Sequence, residues 1–154
     1  MKFIVAAVGK PRDAALAAAI LEYETRAARY WPLEVREVRE EPARGGVRPA
    51  AVMAREAERL AAKVEGATVV ACDQGGTAMS SERFAKFLQD ARERATDLAF
   101  VIGGANGLGD AMKERAQQRM SLAPWTLPHE LARLVLAEQL YRAGTIIRRE
   151  PYHK

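Results

Sequence analysis

Short apolar runs alternate with longer stretches of helical spacing from one end of this chain to the other, and that rhythm leaves few folds open. Lys2 to Val8 (KFIVAAV) is a continuous apolar strand that stops at Gly9. Arg12 to Tyr30 is Ala-rich, with Leu16, Ile20, Tyr23 and Ala27 at helical intervals, and Pro32 interrupts it. Leu33 to Val38 (LEVREV) alternates apolar and polar residues, as a half-exposed strand does. Glu40 to Arg48 is charged and holds Pro42, Gly45 and Gly46, which marks a loop, and Pro49 suits the first turn of a helix running to Val64. Ala67 to Cys72 is a buried strand, and Asp73 to Ala78, with two glycines, reads as a turn. Ser80 or Ser81 caps a helix that runs to Arg94. Then come a strand at Leu98 to Ile102, a glycine-rich loop at Gly103 to Gly109, a short helix at Asp110 to Gln118 and a fifth strand at Met120 to Ala123. A final helix at His129 to Ile147 and a basic tail at Arg148 to Lys154 complete the pattern.

Such alternation predicts an α/β fold: a mainly parallel sheet flanked by helices on both faces, as a single domain over residues 1–154. With 49% hydrophobic and 29% charged residues, the chain can bury a core without covalent staples. Cys72 is the only cysteine, which excludes an intrachain disulfide and any site built on a cysteine pair, and no metal is expected. No run approaches the ~20 apolar residues that span a bilayer, and Met1 to Gly9 lacks the features of a signal peptide. The chain therefore reads as soluble and cytoplasmic, with no membrane partner. The 24 Lys and Arg against 20 Asp and Glu give a net charge of +4, which permits nucleic-acid binding without demanding it.

Two loops are candidates for a ligand site. Ligands of open α/β sheets bind beyond the carboxyl ends of the strands, and Gly103, Gly104, Gly107 and Gly109 follow a strand and precede a helix. Their spacing is not the G-x-G-x-x-G of dinucleotide sites, and no G-x-x-x-x-G-K-[ST] phosphate loop exists, which counts against a nucleotide-dependent oxidoreductase. The second loop, Leu122 to His129 (LAPWTLPH), has a proline on either side of Trp125 and is stiff enough to present main-chain groups in fixed positions. In the last helix, Leu131, Leu134, Val135, Leu136, Leu140 and Tyr141 cover more than one face, so a partner subunit is a natural way to bury the excess. Glu138 and Arg142 stand one turn apart and meet, either as a surface ion pair or within a polar cluster at an interface or active site.

Three motifs in order, FVIGGANGL (Phe100 to Leu108), MSLAPWTLPHELARLVLAEQLYRA (Met120 to Ala143) and PYHK (Pro151 to Lys154), together with AVGK at Ala7 to Lys10, resemble the RlmH family. These are SPOUT-class methyltransferases acting on N3 of a pseudouridine in large-subunit (23S) ribosomal RNA. The resemblance covers essentially the whole chain and implies much that the pattern alone does not. It implies a C-terminal deep trefoil knot, a rare exception to ordinary topology, and a bent S-adenosylmethionine held in the knotted loops. It implies a homodimer whose C-terminal tail helps complete the site across the interface, acting on the ribosome.

Residue by residue, the resemblance assigns the cofactor to Cys72, Gly103, Leu122, Ala123, Pro124, Trp125, Thr126 and Leu127. Cys72 stands where relatives usually carry Leu, and it serves as a small hydrophobe and not as a nucleophile. Trp125 falls at the pocket rim. His129 supports the cofactor loop. Arg142, Tyr152, His153 and Lys154 are implied RNA contacts, Tyr152 by stacking on a base and Arg142 or Lys154 through phosphate. Relatives often have Arg at the position of Lys154. His153, Tyr152, Arg142 and Glu138 are the catalytic candidates, with His153, or else Glu138, accepting the proton that leaves the acceptor nitrogen. A ribosome-associated RNA-binding protein without activity is the competing reading, and it predicts no cofactor pocket.

Overall fold

The computed structural model describes residues 1–154. Five strands, β1 (Phe3–Val8), β2 (Leu33–Val38), β3 (Thr68–Ala78), β4 (Leu98–Ile102) and β5 (Gln118–Ser121), form one sheet in the order β2-β1-β4-β3-β5. Every pairing is parallel. Five helices connect and cover them: α1 (Ala14–Ala27), α2 (Pro49–Lys63), α3 (Ser81–Glu93), α4 (Asp110–Arg115) and α5 (His129–Ile147). The mainly parallel α/β sheet expected from the sequence is present.

The strand side chains divide the core in two, because successive residues point to opposite faces. Phe3, Val5 and Ala7 of β1 join Phe100 and Ile102 of β4 under α1, α3 and α5, where Trp31, Phe84, Leu136 and Leu140 fill the layer. Ile4, Ala6 and Val8 point the other way, with Val69, Ala99 and Val101, against Leu60 of α2 and Met112 of α4. All six residues of β1 and all five of β4 are buried, as central strands covered on both faces must be. Two long-range contacts lock α5 onto the connection that follows α1. Trp31 Nε1 donates to the carbonyl of Leu140 at 2.8 Å, and Tyr30 packs so closely on Gly144 that a Cβ there would overlap its ring.

Local chemistry accounts for the helix starts. The Asp13 carboxylate accepts from Leu16 N at 2.8 Å, Ser80 Oγ from Arg83 N at 3.2 Å, and Pro49 occupies the first turn of α2.

Three boundaries differ from the sequence reading. Asp73 to Ala78 is not a turn: β3 continues through it, interrupted by a bulge at which both Cys72 and Thr77 register with Met120. Gly76 is there for close approach, since a Cβ on it would come within 2.6 Å of the Arg119 and Met120 backbone. Helix α4 stops at Arg115, and β5 begins two residues before Met120 and ends at Ser121. Here Gln117 leaves the helix to close the sheet edge, its side chain accepting from Val69 N at 2.7 Å.

Candidate active site

The carboxyl ends of β3 and β4 open into a cleft of ≈ 380 Å³. Its walls come from three places. Cys72, Asp73 and Gln74 stand at the β3 bulge, Gly103 to Leu108 form the loop after β4, and Leu122 to Leu127 follow β5. His129 and Ala132 from the first turn of α5 close the back. Of the eight residues assigned to the cofactor, seven line this cleft: Cys72, Gly103, Leu122, Ala123, Trp125, Thr126 and Leu127. Pro124 does not face it directly. Trp125 is 76% exposed, the posture of a rim residue and not of a core one.

The glycine loop is shaped by contact with itself. A Cβ on Gly103 would collide with the Gly107 backbone, and Gly107 N donates to Gly104 O at 2.9 Å across the turn. Gly107 adopts φ +83°, a conformation that L side chains rarely take. Facing it, Gln74 clamps the stiff second loop: its Nε2 donates to Pro124 O at 3.0 Å, and its Oε1 accepts from Thr126 Oγ1 at 2.8 Å. Ser121 Oγ adds a bond to Ala123 O at 2.7 Å. The main chain of Leu122 to Leu127 is thereby fixed from both ends.

The cleft holds charges of both signs. Burial pushes the Asp73 carboxyl up, but Arg119 and Lys113 outweigh it and hold the group below its ordinary value, so it stays ionised. Asp110 also lines the cleft. Burial drives the Cys72 thiol up to about 12, which removes thiolate chemistry from the site. Gln74 and Asp73 escaped the sequence reading: their partners lie tens of residues away, and no local spacing announces them.

The second group of expected residues gathers elsewhere. Glu138 Oε1 receives Arg142 Nε at 2.9 Å, Arg142 Nη2 at 2.5 Å and the Tyr152 hydroxyl at 3.0 Å. The Arg142 guanidinium also lies over the Tyr152 ring, 4.7 Å from its centre. Arg142 Nη1 sits 3.2 Å from His153 Nδ1, and His153 Nε2 sits 2.8 Å from Glu82 Oε1 at the start of α3. A guanidinium only donates, so Nδ1 accepts, and the ring proton on Nε2 is donated to Glu82. The carboxylate of Glu138 holds Arg142 above its ordinary pKa, while burial, Tyr23 and Glu138 push the Tyr152 phenol well up. Lys154 is exposed and makes no ion pair.

This C-terminal cluster is not in the cleft of its own chain. Arg142 lies ~15 Å beyond Ala132 along α5, at 1.5 Å per residue. The structure thus brings Glu138, Arg142, Tyr152 and His153 together toward the far end of α5, and gathers seven of the eight residues expected at a cofactor near its first turn.

No group of three or more potential ligands could hold a metal ion, and no helix is long and apolar enough to cross a membrane.

Comparison with known proteins fits this arrangement. A family described as "Predicted SPOUT methyltransferase" matches residues 1–153. The chain is 61% identical over 155 residues to the Ribosomal RNA large subunit methyltransferase H of Gemmatimonas aurantiaca, covering 100% of both. It is 45% identical to the protein of that name from a Geobacter species, covering 95% of this chain and 94% of the relative. Among solved structures, a probable methyltransferase from Bordetella pertussis superimposes with a TM-score of 0.54 at 14% identity, covering 92% of this chain and 95% of that one. A probable methylase family protein from Haemophilus influenzae gives 0.57 at 13% identity, over 99% of this chain and 70% of that one.

A parallel α/β sheet whose cleft lies between the loops after its fourth and fifth strands is here the mark of a SPOUT methyltransferase. More narrowly, the chain belongs to the family of ribosomal RNA large subunit methyltransferase H proteins.

Proposed function

We propose that this protein methylates N3 of a pseudouridine in the RNA of the large ribosomal subunit, using S-adenosylmethionine and acting as a homodimer on the assembled ribosome. The observation that carries the reading is full-length identity of 61% to a protein named as a large-subunit rRNA methyltransferase, in a chain whose corresponding loops enclose a cleft. The cleft fits such a cofactor in size and chemistry. Its ≈ 380 Å³ falls in the range of small-molecule sites. Fixed main-chain groups at Leu122 to Leu127 suit an adenine edge, while Asp73, Asp110 and Lys113 offer both signs of charge to ribose hydroxyls and an amino-acid end. When bound, the cofactor supplies an electrophilic methyl group.

The protein's part is to hold the acceptor nitrogen in line with that methyl and to help remove the imide proton. His153 is the residue proposed to take it, through Nδ1 once Arg142 turns from that nitrogen to the base, with Glu138 second, and Arg142 then steadies the charge that develops on the base. Tyr152 and Lys154 complete the RNA contact. Within one chain these groups stand too far along α5 to act at their own cleft, which favours a tail that serves the partner's. The groove beside the cleft with half-buried Met79, Leu122 and Val135 is a surface that a second subunit would cover. The deep trefoil knot and the cytoplasmic setting belong to the same proposal.

Calorimetric titration with S-adenosylhomocysteine, followed by methyl transfer to intact large subunits with mapping of the modified base, tests it. Micromolar binding and a single modified pseudouridine are expected. Absence of cofactor binding would instead favour a ribosome-associated protein without activity. His153→Ala should retain S-adenosylhomocysteine binding yet turn over at least tenfold more slowly, and unchanged turnover rejects His153 as the proton acceptor.

A further inference from the structure

A second and larger cavity, ≈ 890 Å³, opens beside the cofactor cleft, between the β1–α1 connection and the β2–α2 connection. Asn106 of the glycine loop lines both. The acidic residues around it are mostly spoken for. Glu40 pairs with Arg12 at 2.6 Å, Glu41 with Arg55 at 2.8 Å and also with Arg59, and Glu37 with Arg133 at 3.1 Å. What remains on the rim is basic: Lys10, Arg39 and Arg44 are exposed, and their side chains make no ion pair or hydrogen bond.

The wall of the cavity carries the opposite feature. Glu56 of α2 is 5% exposed. Its Oε2 accepts from Glu41 N at 3.1 Å, but Oε1 has no partner, and it is the one buried side-chain oxygen or nitrogen in the chain so left. An unpartnered buried carboxyl oxygen is unfavourable, and a hydrogen-bond donor that reached it would relieve that cost. Burial pushes this carboxyl above its ordinary pKa, and neighbouring Glu40 adds to the effect. The group also sits against the cofactor loop, because a Cβ on Gly104 would lie 2.9 Å from Oε1.

A simple anion would satisfy the rim and be repelled by Glu56. A nucleotide satisfies both, since it is anionic at one end and carries N–H donors at the other. We propose that this cavity receives a nucleotide of the substrate RNA strand beside the methyl acceptor, its phosphate against Lys10, Arg39 and Arg44 and a base N–H donated to Glu56. The inference rests on the RNA-methylation reading and adds to it a binding site outside the cofactor cleft and the C-terminal tail.

The test compares the wild-type protein with Arg39→Ala/Arg44→Ala and with Glu56→Gln, using intact large ribosomal subunits and radiolabelled S-adenosylmethionine. The arginine variant should raise KM for subunits about tenfold or more and lower the salt dependence of log KM by about one to two, as expected for lost phosphate contacts. Glu56→Gln should raise KM as well. Both should bind S-adenosylhomocysteine with a Kd within twofold of wild type. Unchanged KM and salt slope in the arginine variant, while the wild type methylates normally, overturns the inference and leaves the function standing. A wild type that neither binds nor methylates subunits removes the function first and this site with it. If Glu56→Gln weakens S-adenosylhomocysteine binding instead of raising KM, Glu56 serves the cofactor loop and the base contact is wrong. Because Arg39 and Arg44 are exposed, their variant remains decisive even if Glu56→Gln fails to fold.

Discussion

His153 Nε2 stands 2.8 Å from the carboxylate of Glu82, tying the C-terminal tail to the first turn of α3. The tie reaches α5 through the other ring nitrogen and Arg142, so three segments meet on one imidazole. Glu82 is well placed to hold its end: the main chain at the helix start, His153 and Ser80 keep its carboxyl at about 2, against an ordinary 4.5.

A depressed folded pKa stabilises the native state at pH values above the unfolded one, and that stabilisation fades as pH falls. The contribution of Glu82 should therefore be complete above pH 4.5 and disappear between there and about 2. Urea midpoints of wild type and Glu82→Gln measured from pH 7 down to 2 should differ at the upper end and draw together at the lower. Parallel curves would mean that the tie contributes nothing to folding.

Gly103→Ala should abolish cofactor binding. The added methyl meets the Gly107 backbone, which has no free side-chain end to yield, so the loop must open. S-adenosylhomocysteine affinity should fall at least a hundredfold by calorimetry. Retention of the wild-type Kd would show that this turn is not part of the cofactor's seat.

Cys72 should be inert. With its thiol pushed to about 12 by burial, the thiolate is scarce at pH 8, and alkylation by iodoacetamide should run about a hundredfold or more slower than for a free thiol. Saturating S-adenosylhomocysteine should slow it further, because the side chain lines the cleft. Alkylation at the rate of a free thiol would show that this half-buried side chain keeps an ordinary thiol's reactivity.

Gly144→Ala should loosen the seat of α5 on Tyr30. The new methyl would overlap the near end of the Tyr30 ring, which cannot swing away without giving up its contact with Tyr141. Overpacking of this kind costs roughly 1–3 kcal/mol. For a chain of this length, that corresponds to a Tm lower by roughly 3–10 °C in calorimetry.

The sequence carried the alternation of strands and helices because each element declares itself by its own period: continuous apolar runs at β1 and β4, and i, i+3, i+4 spacing in α1 and α3. It also pointed to both loops of the cleft, because glycine and proline write backbone constraints directly into the chain. What it could not show depends on distant partners. Gly75 and Gly76 read as a turn, whereas the role of Gly76 is to admit the backbone of β5, which arrives more than forty residues later. Gln74 is an unremarkable polar residue until Pro124 and Thr126 come to lie beside it. Glu56 sits in a charged stretch of α2 where nothing marks it as buried, and the anchoring of His153 on Glu82 spans seventy-one positions.

The bond from the Trp31 indole to Leu140 joins residues 109 positions apart, and α5 roofs the layer that contains Phe3, Trp31 and Phe100. During synthesis, that layer lies bare until α5 has emerged. Closure of so many contacts of long sequence separation is slow. A nascent chain halted before residue 129 would be left with an uncovered apolar face and should be prone to aggregate, as should any truncation that removes the last helix.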